Sequence, residues 1–273
     1  MDLERDYGLT VTSLEPHQGG FATDGWVADR RWFVKMWKPG ADPLGLELLG
    51  ALRRAGLPVI EPVRTMRGEL FAMNGDRAYA VFPYVQGRTA AWSDWRVVAQ
   101  AMRQVHEVQL DLPPATTDEP TIDTLTRNLQ HPWIADRADE LTTAITRLDG
   151  VRERLATKPV RKVVCHTDLH GFNLLIDDAG EVAAILDWEQ AVIGPREFDL
   201  WVAADGDQLS EFLDAYGADD LDLDHLEFAL LARGLRDLAA RVLNEVDRPG
   251  VETWGFDRIR RLDSDLEVFR GYC

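Results

Sequence analysis

Two aspartates and an asparagine stand where two short β-like segments end, in a pattern that suits phosphoryl transfer. Asp168 and Asn173 lie five residues apart after the segment 162–165, and Asp187 ends a second segment, residues 174–187. One carboxylate can accept the proton of an attacking hydroxyl, while an amide oxygen and a second carboxylate can hold Mg²⁺ against nucleotide phosphates. We therefore predict Asp168 as the catalytic base, and Asn173 and Asp187 as the metal ligands.

Each of these residues also has a purely structural interpretation. Taken alone, Asp168 could occupy a turn, Asn173 could act as a cap and Asp187 could simply end a strand. Their order on two strand–loop units favours the functional interpretation. For His166 the expectation is different, because a buried and hydrogen-bonded histidine that holds the loop is favoured there over direct proton chemistry.

The segment from His166 to Leu200 resembles the aminoglycoside phosphotransferases and choline kinase-like small-molecule kinases, and looks most like the antibiotic phosphotransferases. The matching motifs are His166-Thr167-Asp168-Leu169-His170-Gly171-Phe172-Asn173, Asp187-Trp188-Glu189 and Gly194-Pro195-Arg196-Glu197-Phe198-Asp199-Leu200. Thr167 and Phe172 depart from the commonest residues of the family, but neither carries the chemistry. The resemblance implies a two-lobed, protein-kinase-like α+β fold with ATP (or GTP) and Mg²⁺ as cofactors in its cleft.

Lys35 stands inside a predicted strand with apolar residues on both sides, Trp32–Trp37. A strand lysine whose ammonium reaches water is the plain explanation, and a lysine that grips the α- and β-phosphates is the functional one. Glu47 opens a predicted helix that ends at Gly56 with basic residues in its last turn. In the resembled family a helix glutamate pairs with the strand lysine, so we expect a Lys35–Glu47 ion pair.

Two further segments are predicted to contact the nucleotide. Gly19 and Gly20 lie in the loop 17–23, the candidate for a glycine loop over the phosphates, although a plain hairpin loop is at least as good an explanation. Phe82 and Tyr84 belong to a linker with Pro and Gly, residues 81–87, where such folds hinge and where backbone groups meet the adenine edge. A Gly-x-x-x-x-Gly-Lys-Ser/Thr motif does not occur, which disfavours a P-loop enzyme.

Asp199 follows Asp187 by only twelve positions. That gap is too short for a peptide-binding activation segment, and it argues for an open pocket that takes a small molecule. The resemblance implies that the Asp199 carboxylate braces the catalytic loop from behind. Capping the N-terminus of a helix is the alternative role.

The elements that must position these residues fall into two predicted lobes. Residues 1–84 form a small β-rich, nucleotide-binding lobe of short apolar pieces broken by Gly, Asp and Asn. Residues 85–273 form a larger, mainly helical lobe for catalysis and acceptor binding. Helices are predicted over 93–109, 121–130, 136–148, 225–246 and from about 257 to the C-terminus.

The charge of the chain indicates the kind of partner. Thirty Lys and Arg stand against 47 Asp and Glu, and the formal net charge is −17. Eleven acids and no Lys or Arg occur from Glu197 to Glu227. Such a field repels nucleic acid and anionic membranes and attracts cations, although acidic surfaces also serve solubility alone. We predict a small cationic acceptor, with Glu189 and Asp257 as candidate acceptor-binding residues.

Cysteine usage and hydropathy indicate the compartment. Cys165 lies in a predicted buried strand and Cys273 is the last residue, so a disulfide is not expected and a reducing cytosol is the simpler environment. A window of ~18 apolar residues and a charged-then-apolar leader are both absent, so neither membrane insertion nor secretion is expected. Both a monomer and a homodimer remain compatible with the sequence.

The sequence thus predicts a Mg²⁺-dependent phosphotransferase that modifies a hydroxyl of a small cationic acceptor. An aminoglycoside or another basic antibiotic is the first choice for that acceptor. A metabolite kinase acting on choline, an amino alcohol or a sugar is the alternative. A pseudokinase that binds nucleotide and scaffolds a partner is a third hypothesis, against which the intact residues Asp168, Asn173, Asp187 and Lys35 argue.

Overall fold

The computed structural model describes residues 1–17, 23–41, 43, 45–110, 119–159, 161–205, 208–244 and 251–273. Its strands, in chain order, are β1 (Leu14–His17), β2 (Thr23–Ala28), β3 (Trp32–Trp37), β4 (Ala72–Asn74), β5 (Arg77–Pro83), β6 (Arg88–Thr89), β7 (Lys162–Cys165), β8 (Leu174–Ile176), β9 (Val182–Ile185) and β10 (Val192–Pro195). Its α-helices are α1 (Leu3–Tyr7), α2 (Leu46–Arg54), α3 (Trp95–Glu107), α4 (Glu119–Arg127), α5 (Ala138–Leu155), α6 (Leu209–Tyr216), α7 (Leu223–Asn244) and α8 (Val251–Phe269).

The chain divides into two compact units. One consists of Met1–Asp111 with His166–Ala191, and the other of Leu112–Cys165 with Val192–Cys273. The first unit therefore contains both the small sheet and the predicted catalytic loop. The predicted lobe boundary after Tyr84 stays a prediction.

The first unit is built on an antiparallel sheet with the strand order β1-β2-β3-β5-β4. Val34 and Met36 on β3 point into a core that also contains Leu3 and Tyr7 of α1. Because side chains alternate along a strand, Lys35 lies on the opposite face from this core. Its register partners on the two neighbouring strands are Gly25 and Ala80, both small.

A second, three-stranded sheet of the first unit has the order β6-β8-β9. β8 and β9 pair antiparallel, with Leu174 opposite Ile185. The residues that immediately precede β8 and immediately follow β9 therefore lie at the same end of this hairpin. Asn173 directly precedes β8, and Asp187 is the second residue after β9.

The second unit is mainly helical and is organised around α7. This helix packs against α4, α5 and α8, with Leu226, Leu230 and Leu235 buried in its interior. α7 and α8 approach closely at Gly234 and Gly255, because a Cβ on Gly255 would lie 2.5 Å from the Gly234 carbonyl oxygen. In the same unit β7 pairs antiparallel with β10.

The secondary structure follows the sequence-based expectation for the longer elements and departs from it for short ones. α3, α4, α5 and α7 correspond to predicted helices, and α8 begins at Val251 rather than near 257. α1 and α6 were not predicted, since helices of five and eight residues give few turns of periodicity. Among the described residues, no helix is long and apolar enough to cross a membrane.

Candidate active site

His166 is fully buried at the start of the predicted catalytic loop. Its Nε2 lies 2.7 Å from the carbonyl oxygen of Leu186, and the backbone N–H of Asp168 donates to its Nδ1 at 3.3 Å. Since the carbonyl can only accept and the N–H can only donate, these partners place a ring proton on Nε2. The ring also packs against that of Trp188, with the centroids 4.6 Å apart and the planes tilted by 53°. These contacts tie the loop to the segment after β9, and the supporting role of His166 stays a prediction.

Asp168 and Asn173 are joined by hydrogen bonds across the loop. The Asn173 amide Nδ2 donates to the Asp168 carbonyl at 2.9 Å and lies 3.3 Å from its carboxylate Oδ2. His170 Nε2 lies 3.7 Å from the same Oδ2. The loop backbone is clamped as well, because Ala90 N–H donates to the carbonyls of Gly171 and Leu174. These contacts orient Asp168, and its side chain stays 22% exposed.

Gly171 has a steric reason to be glycine. A Cβ at this position would lie 2.7 Å from the Ala90 carbonyl oxygen, closer than any real contact of that kind. The loop can therefore pass Ala90 only without a side chain here. The exposed ring of Phe172 follows directly, 66% accessible, and it meets the His170 ring edge-on at 5.8 Å.

Asp187 has a left-handed backbone, with φ 57° and ψ 59°. A residue with a Cβ pays roughly 1–2 kcal/mol for this conformation, and such strain collects at functional sites. Thr167 on the facing loop has a φ of 66°, and its hydroxyl donates to the Gln190 carbonyl at 3.1 Å. Two strained backbone positions therefore stand on the two loops that carry the predicted base and metal ligand.

Asn173 and Asp187 are brought to one place by the β8–β9 hairpin. The backbone N–H of Leu186 donates to the Asn173 carbonyl at 2.9 Å, which extends the strand pairing up to the residue before Asp187. The Asn173 amide uses its nitrogen for Asp168, so its Oδ1 is the atom left to bind a cation. One amide oxygen and one half-exposed carboxylate form a set of hard oxygen donors, which fits Mg²⁺.

Lys35 forms ion pairs with two carboxylates of the same turn. Its Nζ lies 2.6 Å from Asp187 Oδ1, and it also contacts Glu189 Oε1. Burial by itself lowers the pKa of Lys35, but the charges of Asp187 and Glu189 outweigh it and raise that pKa above the usual value. Lys35 is therefore a charged, largely enclosed ammonium at the site where phosphates are predicted to bind.

The prediction of a Lys35–Glu47 ion pair is wrong for this structure, because Lys35 pairs with Asp187 and Glu189 instead. Glu47 lies in the first turn of α2 and is exposed, because α2 turns Leu46, Leu49 and Leu52 inward instead. The start of α2 packs on the turn that follows Asp187. At Gly45, where φ is 80°, an added Cβ would lie 2.8 Å from the Trp188 carbonyl oxygen. That turn brings Glu189, rather than the helix glutamate, to the ammonium.

The predicted nucleotide contacts are described in part. Gly19 and Gly20 lie outside the described residues, although the strands on either side, β1 and β2, pair antiparallel as a hairpin. Phe82 is half-buried on β5, with Phe33 as its register partner. Tyr84 is 39% exposed just after β5, and its backbone N–H donates to the Arg31 carbonyl at 2.8 Å.

Asp199 and Asp257 lie in the second unit. Asp199 is buried, 1% exposed, and its backbone N–H donates to the Arg196 carbonyl at the end of a 3₁₀ turn. Asp257 lies on α8, half-exposed, 3.5 Å from the guanidinium of Arg260. The predicted acceptor-binding residue Glu189 is in the first unit and pairs with Lys35, as described above.

The acidic stretch that ends at Glu227 is partly neutralised within the second unit. Lys158 pairs with Asp222 at 2.6 Å and with Asp224 at 2.8 Å. Arg154 pairs with Asp224 at 2.8 Å and with Glu227 at 2.5 Å. Glu227 also accepts from Arg147, the guanidinium that pairs with Asp263. These ion pairs join the start of α7 to α5 and to the residues just after α5. The Arg and Lys side chains offset most of the negative charge of these carboxylates.

Comparison with known proteins shows the family to which this chain belongs. The sequence model of the phosphotransferase enzyme family matches residues 14–231. No protein with a curated description matches the sequence. Among solved structures, a spectinomycin phosphotransferase in complex with ADP and spectinomycin is similar, with a TM-score of 0.70, 19% identity, and coverage of 97% of this chain and 94% of that one.

Two further structures show the same likeness. An aminoglycoside 2′-phosphotransferase in complex with GDP has a TM-score of 0.66 and 15% identity, with 95% of this chain and 94% of that chain covered. A choline kinase from Streptococcus pneumoniae has a TM-score of 0.67 and 17% identity, with the same shares covered. The predicted two-lobed, kinase-like α+β fold is confirmed by this similarity.

Proposed function

This chain belongs to the phosphotransferase enzyme family, and from that premise we propose that it transfers the γ-phosphoryl group of ATP to a hydroxyl of a small cationic molecule with Mg²⁺. The observation that carries this proposal is the single constellation of Asp168, Asn173, Asp187 and Lys35 in one compact unit. We further infer that the enzyme works in the cytoplasm as a monomer or a homodimer. GTP is the alternative donor.

Each residue of the constellation has a role that its contacts support. Asp168 accepts the proton of the attacking hydroxyl, with the Asn173 amide holding its carboxylate in orientation. Lys35 offsets phosphate charge from an enclosed position, where an ion interacts more strongly than in water. Asn173 Oδ1 and the Asp187 carboxylate would hold Mg²⁺, which when bound neutralises the charge of the β- and γ-phosphates. The rate advantage then comes mainly from positioning and electrostatic stabilisation.

A basic antibiotic such as an aminoglycoside is the proposed acceptor. Support comes from the net charge of −17 and from the antibiotic phosphotransferases among the similar structures. The paired acids Asp222, Asp224 and Glu227 contribute little to this argument, since their charges are matched by Arg and Lys. Of the two carboxylates predicted for the acceptor, Glu189 already contacts Lys35, so Asp257 is the one proposed here.

A kinase of choline or another amino alcohol is the second candidate, and one observation favours it. Phe172 exposes its ring on the catalytic loop, four residues after the proposed base. An aromatic face attracts a quaternary ammonium group by about 0.5–2 kcal/mol. A choline kinase is also among the similar structures.

The test is an assay that couples ADP release to a screen of basic antibiotics, amino alcohols and neutral sugars. We expect Mg²⁺-dependent ADP release with at least one cationic compound, and none from the Asp168→Asn variant. The KM for that compound should rise steeply with ionic strength, because the Debye length shortens from ~10 Å at 0.1 M to ~3 Å at 1 M salt. A neutral sugar as the best acceptor, with a KM that salt does not change, would contradict the cationic acceptor. Nucleotide binding without turnover on any compound would favour a scaffold instead.

A further inference from the structure

The turn after β9 presents two carboxylates to one ammonium. Lys35 Nζ contacts both Asp187 Oδ1, at 2.6 Å, and Glu189 Oε1. Trp188 between them is buried, and its indole N–H donates to the Ile185 carbonyl at 3.0 Å. This anchored indole fixes the turn, so that the residues before and after it both reach Lys35.

The two carboxylates differ in their exposure. The side chain of Asp187 is 50% exposed, whereas that of Glu189 is 26% exposed. Asp187 also lies at the hairpin end that it shares with Asn173, the other proposed metal ligand. The more open carboxylate is therefore placed for a cation, and the more enclosed one for the lysine.

The charges lead to the same division. Lys35, Asp187 and Glu189 together carry a formal charge of −1, so the cluster has one carboxylate more than its lysine requires. A divalent cation can take Asp187 without leaving the enclosed ammonium unpaired. An ammonium at the end of four methylenes also needs a fixed partner to hold one geometry, because the partner must offset the rotamer entropy that this flexible side chain loses on ordering.

From this geometry we infer that Glu189 is the positioning residue for Lys35, in the place that the resemblance gives to Glu47. Glu189 keeps the ammonium aimed at the nucleotide phosphates while Asp187 binds Mg²⁺. The inference rests on the proposed function, because it assigns the positioning residue of that same site. It also replaces the role of acceptor-binding residue for Glu189.

The test is a double-mutant cycle on the affinity for AMP-PNP with Mg²⁺, measured by calorimetry. Glu189→Gln should weaken binding about tenfold, which is about 1.4 kcal/mol. In a Lys35→Ala background the same change should have almost no effect, because coupled residues lose their contribution together. The Mg²⁺ concentration that gives half-maximal nucleotide binding should stay the same in Glu189→Gln. If Glu189→Gln does not fold, Glu189→Asp enters the cycle with the same expectation.

Two glutamates provide matched controls. Glu47→Gln tests the rival helix partner, and Glu61→Gln changes an exposed carboxylate 3.6 Å from Arg53. Both should leave the affinity within about twofold. Equal losses for Glu189→Gln with and without Lys35, or a higher Mg²⁺ requirement, would overturn the inference and make Glu189 a metal ligand. Coupling of Lys35 to Glu47 instead would overturn it as well.

Failure of the proposed function would look different from failure of this inference. If the wild-type protein bound no AMP-PNP and released no ADP with any acceptor, the proposed function itself would be wrong. If the wild-type protein were active but the cycle showed no coupling between Lys35 and Glu189, only the positioning role would be lost.

Discussion

The backbone N–H of Leu186 donates to the carbonyl of Asn173 at 2.9 Å. This one bond extends the β8–β9 pairing by a step, from the Leu174–Ile185 pair to the two loops beyond it. It therefore joins the segment that carries the proposed base to the segment that carries Asp187. Two motifs that are separated by more than a dozen residues in the chain become one site through it.

Replacing Asp168 with Ala should remove nearly all turnover and leave nucleotide binding largely intact. The carboxylate is the proposed base, and general base catalysis contributes typically ~10²–10⁴-fold. The measurement is kcat by ADP release beside the affinity for AMP-PNP with Mg²⁺ by calorimetry. A variant that kept more than about a tenth of the wild-type rate would show that the base lies elsewhere.

Replacing Asp187 with Ala should abolish Mg²⁺-supported nucleotide binding, and Asn173→Ala should weaken it less. A charged oxygen ligand contributes more to a bound Mg²⁺ than a neutral amide. Asp187→Ala also removes one of the two carboxylates of Lys35. Calorimetry of AMP-PNP over a Mg²⁺ series separates these effects, and wild-type affinity for Asp187→Ala would contradict the assignment.

Replacing Asp224 with Asn should lower stability and leave the acceptor KM unchanged. Hydrogen bonds from Lys158 and then Arg154 lower the pKa of the Asp224 carboxyl. A carboxyl with a lowered folded pKa stabilises the protein above its unfolded pKa of ~3.9, and this contribution is lost as the pH falls through the folded value.

The size of this effect should be modest. Asp224 is 27% exposed and its partner Arg154 is 47% exposed, so solvent screens the pair and we expect about 0.2–1 kcal/mol at pH 7. Urea unfolding at pH 7 and at pH 3 measures it, with the difference between variant and wild type shrinking at the lower pH. A raised acceptor KM would instead place Asp224 beside the acceptor.

Replacing Gly171 with Ala should destabilise the protein by about 1–3 kcal/mol, because the new methyl group would press on the Ala90 carbonyl oxygen. The loop that carries Asp168 should shift with it, so kcat should fall too. Gly150 in α5 is the matched control, since nothing lies within 4 Å of a Cβ there. Gly150→Ala should stabilise the helix by about 0.5–1 kcal/mol and leave kcat unchanged. Equal unfolding midpoints for the two variants would contradict the steric argument.

Much of the local structure could be predicted from the sequence. The strand that holds Lys35 is a short apolar run, and the long helix α7 has apolar residues at helical spacing; both patterns are visible in the sequence alone. α1 escaped prediction because its few residues show no repeat, yet Leu3 and Tyr7 close the core behind the sheet. Part of the candidate site could also be predicted, since the identity and spacing of Asp168, Asn173 and Asp187 are properties of the sequence.

The sequence by itself determined the family of this protein and the residue types of its site, because motifs and their spacing can be read without knowledge of the fold. Only the tertiary structure decided which charges meet. Lys35 pairs with the turn at Asp187 and Glu189 instead of Glu47, and Asp224 pairs with Arg154 and Lys158. An ion pair requires a few ångströms between atoms, and those distances depend on strand register, on which face a helix buries and on the direction of each turn.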